Sequence, residues 1–130
     1  MWDMRQKTNE LLKQQAVLGD FSVDNYVSER LWSVADDGTH IPISLVYRKG
    51  MLRDGTNKCL LYGYGSYGIS VEPTFSATRL VLLDRGFIFA IAHIRGGQEL
   101  GRSWYDNGKL LHKRNTFTDF ISCAEHLISE

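Results

Sequence analysis

The sequence predicts an α/β fold, and three observations predict it. A short apolar run, Cys59 to Tyr62, ends in a cluster of glycines. Residues 73–86 carry helical spacing, and Phe87 to Ile94 is an unbroken apolar run of the kind a strand shows when both its faces are covered. Strand, helix and strand in that order imply a right-handed parallel crossover. At 130 residues the chain has one domain's length. Hydrophobic residues at 43% and charged residues at 23% are the proportions of an ordinary globular protein.

Lys plus Arg and Asp plus Glu balance at 15 each, which gives no electrostatic reason to expect nucleic acid or an anionic membrane as partner. No apolar run reaches the length of a membrane span, and the N-terminus lacks the basic-then-apolar pattern of a secretory leader. Cys59 in an apolar strand and Cys123 on an expected helix read as packed thiols, not as a disulfide or metal pair. A reducing cytoplasm is the setting that suits them. No metal or cofactor is expected.

Taken in order, Thr8 to Gln15 has the propensity of a short helix, and Gly19 to Asn25 reads as a linker. Ser28 to Ala35 and His40 to Tyr47 are strand-like runs around Asp36-Asp37-Gly38-Thr39, and Asp-Gly in that place signals a hairpin. Pro42 cannot donate to a ladder and so suits an edge or the beginning of a strand. Arg48 to Asn57 is a charged loop. Pro73 fits the first turn of a helix with Phe75, Thr78, Arg79 and Leu82 on one face, Leu80 and Leu83 on another, and Gly86 ending it. Trp104 and Tyr105 are expected to pack a loop against the body, and Lys109 to Arg114 reads as a solvated basic turn. Phe117, Phe120, Ile121, Ala124, Leu127 and Ile128 form the stripe of an amphipathic helix, with Thr116 and Asp119 as a capping box or Asn115 as cap. His93 reads as a hydrogen-bonded structural histidine and His126 as a boundary residue near a helix end.

The chemistry hangs on Tyr62-Gly63-Tyr64-Gly65-Ser66-Tyr67-Gly68. Gly63, Gly65 and Gly68 satisfy the G-x-G-x-x-G of a dinucleotide-binding loop, with Asp84 about 20 residues on. That reading needs a helix to begin within the glycines, whereas Ile69 to Pro73 follows. The acid should also close the next strand, and Asp84 falls before it. The second reading is an oxyanion loop, in which a tyrosine hydroxyl at a strand end donates to a developing negative oxygen. Arg95-Gly96-Gly97 makes a second sharp turn at a strand's carboxyl end, where open α/β sheets place ligands. Arg95 and Glu99 are expected to pin that loop by a charge-assisted bond.

Tyr62 to Gly68, followed by Ile94-Arg95-Gly96-Gly97-Gln98-Glu99-Leu100-Gly101, resembles the start of the catalytic domain of the prolyl oligopeptidase family. Asn25 to Trp32 and Ile41 to Tyr47 resemble its oligopeptidase B branch in particular. The resemblance covers nearly the whole chain. It implies the N-terminal part of an α/β-hydrolase domain over residues 25–130, preceded over residues 1–24 by the end of a β-propeller and a linker. Met1-Trp2-Asp3-Met4 and Glu10 to Gln14 would then be strands around a polar turn. It also implies a serine peptidase acting on peptides after Arg or Lys, with Tyr64 matching the oxyanion-hole tyrosine. Tyr67 matches an aromatic position near the primary specificity pocket. Glu72 falls near the subsites for basic substrates, although Thr74 stands where a second acid often occurs.

A serine hydrolase of this kind needs a G-x-S-x-G elbow with an acid and a histidine later in the chain. Tyr64 to Gly68 has Tyr where the first glycine belongs, and Gly101 to Tyr105 lacks the last. The expectation is therefore a chain cut shortly before its nucleophile and inactive by itself. A non-catalytic product, or another α/β-hydrolase such as an esterase, are the other readings the residues leave open.

Overall fold

Asp3 decides how the chain begins. Its carboxylate accepts from the backbone N–H groups of Arg5 and Gln6, both at 2.8 Å, and that turn folds β1 (Trp2–Asp3) against β2 (Thr8–Asn9). The computed structural model describes all residues 1–130. The expected hairpin is present, but its second strand lies two residues earlier than Glu10 to Gln14, and no helix forms over Thr8 to Gln15. The pair is a sheet of its own, too little by itself to make a propeller blade. A 3₁₀ turn at Val23–Asn25 leads into the main body. There Phe21 stacks 5.9 Å from the Tyr26 ring and lies 5.4 Å from that of Phe75.

Strands β3 (Tyr26–Val34) and β4 (His40–Arg48) form the expected hairpin, closed where Ala35 and Thr39 bond and Gly38 takes φ 80°. Pro42 is the third residue of β4. The ladder to the next strand starts one residue later, so the missing N–H costs little there. Strand β5 (Cys59–Tyr62) leads through helix α1 (Ala77–Leu83) to the parallel strand β6 (Ile88–Ala92). Helix α1 starts later than Pro73 because Ser76 caps it, and Gly86 at φ 80° ends it as expected. The helices α2 (Arg102–Asp106) and α3 (Arg114–Ser129) complete the chain.

The main sheet runs β3-β4-β6-β5, antiparallel except for the last pair. Its alternation divides the molecule into layers. Ile41, Ile43, Leu45, Ala90 and Ala92 face α3 and form the core with Trp104 and Cys123. Ser44, Val46, Phe89 and Ile91 face α1 across a cavity of about 410 Å³. Strand β6 is covered on both flanks, by β4 and β5, whereas β5 is an edge strand. Its Cys59 is accordingly exposed, contrary to the packed thiol expected there, and Leu60 and Tyr62 are half-exposed.

Helix α3 is rotated from its expected orientation. Thr116, Asp119 and Cys123 are its buried residues, while Phe117 is 62%, Ile121 54% and Ile128 84% exposed. Of the predicted stripe, Phe120 and Leu127 pack on the core. Thr116 and Asp119 make no capping box, because both point at the loop after β6, and Asn115 spends its amide on the Asn107 carbonyl.

Candidate active site

Two turns leave the carboxyl ends of the adjacent parallel strands β5 and β6, and backbone contacts lock them together. The Gly68 N–H donates to the Gly96 carbonyl at 2.9 Å. Gly96 has φ 103°, and a Cβ there would stand 2.1 Å from the Gly65 carbonyl oxygen. Glycine is thus required twice over at Gly96, by conformation and by close approach. A Cβ on Gly65 (φ 63°) would meet Thr116 at 2.5 Å, and one on Gly63 would meet Phe120 at 2.9 Å. One on Gly97 would meet the Glu99 carboxylate at 2.1 Å.

These contacts leave the phenols outside. Tyr64 is 41% and Tyr67 83% exposed, and neither hydroxyl makes a hydrogen bond within the chain. Tyr67 holds φ 55°, a conformation bulky side chains seldom adopt and which nothing in the residue string announces. Glu72 is exposed and unpaired.

Arg95 anchors the second turn from below. It is 5% exposed, and its Nε and Nη2 donate to the two oxygens of Asp119 at 2.8 and 2.6 Å, while its backbone N–H donates to the same carboxylate at 3.0 Å. Its Nη1 donates to Asp37 at 2.6 Å and to Thr39 Oγ1 at 3.3 Å, which draws the β3–β4 turn into the same cluster. Asp119 above all, and Asp37 with it, hold the guanidinium more firmly charged than usual. In return Arg95 first, then Thr39, bring the Asp37 carboxyl down to about 2.

The expected Arg95–Glu99 bond is therefore not made. Glu99 instead accepts from the Val71 N–H at 3.0 Å, tying the strand exit beyond Tyr67, and lies 3.9 Å from His93 Nδ1. Burial pushes the Glu99 carboxyl up, but His93 and the backbone N–H groups outweigh it and hold the group below the usual carboxylate range. His93 is the structural histidine expected, its Nε2 hydrogen-bonded to Ser44 Oγ at 2.7 Å and its carbonyl accepting from Trp104 Nε1 at 3.0 Å.

The residues that reasoning from sequence missed lie on α3 and just before it. Thr116 Oγ1 donates to the Arg95 carbonyl at 2.6 Å and stands 3.3 Å from the Gly65 carbonyl. Lys113, expected in a solvated turn, reaches Gly65 and Ser66. One signal was available: Thr116, Asp119 and Cys123 share a helical face, an arrangement that gives a helix two buried polar residues only if something polar meets them. No three His, Cys, Asp or Glu side chains gather as a metal site, and no helix is long and apolar enough to cross a membrane. What the two turns can do is hold a half-exposed phenol rigidly at the carboxyl edge of a sheet.

Comparison with known proteins finds peptidases similar over nearly the whole chain. Residues 73–130 match the model of the prolyl oligopeptidase family. Dipeptidyl aminopeptidase BI of Pseudoxanthomonas mexicana is 54% identical over 132 residues, across 99% of this chain and 18% of that protein. Protease 2 of Moraxella lacunata is 44% identical across 93% of this chain and 18% of its own length. Oligopeptidase B from Trypanosoma brucei, solved in a closed form with covalently bound antipain, superposes with a TM-score of 0.92 at 52% identity. That match covers 98% of this chain and 18% of the enzyme's. The chain thus spans about 18% of the length of these relatives.

Proposed function

The chain belongs to the prolyl oligopeptidase family of serine peptidases, and on that premise we propose that it supplies the oxyanion-hole tyrosine, Tyr64, of an oligopeptidase B-like enzyme. The observation that carries the proposal is the half-exposed, unpartnered Tyr64 phenol, on a turn whose three glycines are packed against α3 and the Arg95 loop. A donor held rigid before reaction stabilises charge developing on a carbonyl oxygen without reorganisation at the moment of attack.

In this reading residues 25–130 are the first part of an α/β-hydrolase domain, and residues 1–24 are the end of a propeller with its linker. The serine nucleophile, the acid and the base of the triad belong to the whole enzyme outside these residues. Tyr67 lines the primary specificity pocket, and Glu72 favours basic side chains nearby, which suits cleavage of peptides after Arg or Lys in the cytoplasm. Gly63, Gly65, Gly68, Arg95, Gly96, Gly97 and Glu99 shape the two turns.

The test is Tyr64→Phe in a protein of the relatives' full length that carries this segment. We expect kcat on an Arg-amide peptide to fall by roughly 10–10³, with KM little changed, because the lost bond acts only on the developing oxyanion. Unchanged kcat in a correctly folded variant would remove Tyr64 from the oxyanion hole.

A further inference from the structure

Lys113 breaks a local rule. It joins a 3₁₀ turn at Leu110–His112 to α3 with helical backbone angles and makes no side-chain capping bond. Its charge also sits at the positive end of the helix dipole, which disfavours a cation. A cation that opposes its own helix dipole is held there by something else.

That something is the tyrosine turn. The Lys113 ammonium donates to the Gly65 carbonyl at 2.5 Å, to Ser66 Oγ at 2.7 Å and to Thr116 Oγ1 at 3.1 Å. Its three protons are thereby used, and no carboxylate lies in ion-pair range. Burial pushes the ammonium's pKa down from its ordinary value. The Gly65 carbonyl is where both turns meet α3: it accepts from Lys113, stands within reach of Thr116 Oγ1 and closes the space beside Gly96. Thr116 passes the connection on to the Arg95 carbonyl.

We infer that Lys113 is a positioning residue for the reaction: by binding the carbonyl of Gly65 and the hydroxyl of Ser66, it fixes the Gly65–Ser66 peptide, one residue beyond Tyr64, and through the turn aims the Tyr64 phenol. The inference rests on the oxyanion reading of Tyr64. It adds a residue that touches no substrate and acts through the turn alone.

The experiment is a double-mutant cycle in the full-length protein, with Lys113→Met, Tyr64→Phe and both together, alongside hydrogen exchange of the peptide covering residues 63–68. Lys113→Met keeps the length of the side chain and removes the three donors. The expected result is faster exchange in that peptide and a fall in kcat of roughly tenfold or more at unchanged KM, since small displacements of a catalytic group are costly. In the Tyr64→Phe background Lys113→Met should then cost less than about twofold, because coupled residues are not additive. Equal losses in both backgrounds, or unchanged exchange, would overturn the inference. If Tyr64→Phe alone leaves kcat unchanged, the oxyanion reading fails. The hold of Lys113 on the turn is then judged by exchange, which a rise upholds and no rise refutes. Should Lys113→Met not fold, Ser66→Ala removes one of the three anchors and is read by the same quantities.

Discussion

At the scale of single residues, the most exacting arrangement is the Arg95–Asp119 pair. Both partners are almost wholly buried, and the carboxylate answers three N–H groups of one residue. Breaking a buried pair from one side leaves a charge unpaired, at a cost of about 3–5 kcal/mol. Asp119→Ala should therefore release the turn at Arg95-Gly96-Gly97, measured as a loss of hydrogen-exchange protection of that segment in the full-length protein. Protection equal to that of the parent would mean Asp37 and Thr39 suffice to hold the guanidinium. The two cysteines make a second contrast. Cys59 is exposed on the edge strand, whereas Cys123 has no exposed surface, and burial together with Asp119 pushes its thiol up to about 12. One thiol of the chain, Cys59, should react with a disulfide reagent under native conditions and two after denaturation, the first more slowly than a free thiol because partial burial pushes its pKa up. Two thiols reacting under native conditions would show that α3 does not cover Cys123.

At the scale of elements, the α3 helix shows how polar chemistry outweighs an apolar pattern. Its sequence offers a stripe from Phe117 to Ile128, yet the helix turns Thr116, Asp119 and Cys123 inward. The charge on Arg95 explains the rotation. An unpaired guanidinium under the core would cost more than the partial exposure of Phe117 and Ile121, each worth about 1.5–3 kcal/mol when fully buried. Strand β5 makes the complementary point. Its apolar run reads as a buried strand, and one side is indeed paired to β6, but the other edge carries free backbone groups.

At the scale of the whole molecule, these features predict how the 130 residues behave when made alone. The outer edge of β5 is a template for strand addition. Beside it a cavity of about 370 Å³ opens between Leu61, Ile88 and Leu127, and exposed Ile128 lies at its rim. Positive and negative residues balance, so little charge repulsion opposes association. The chain alone should associate as its concentration rises and bind an apolar dye, as sedimentation and fluorescence would show. A monomer that survives concentration and unfolds in one sharp transition would contradict this.

Local order along the chain was enough to give the class of the fold, the β3–β4 hairpin, the β5 limits and the helix stop at Gly86, because each depends on neighbours a few residues apart. The paired tyrosine and arginine turns were legible for the same reason: glycine spacing is a local property. Tertiary structure alone decided which partners those turns have. Arg95 chose Asp119 and Asp37 over the nearby Glu99, and Lys113 chose the Gly65 carbonyl over solvent. Those choices join residues 24, 58 and 48 positions apart along the chain. They follow from the cost of burying charge, which only the packed sheet and helix impose.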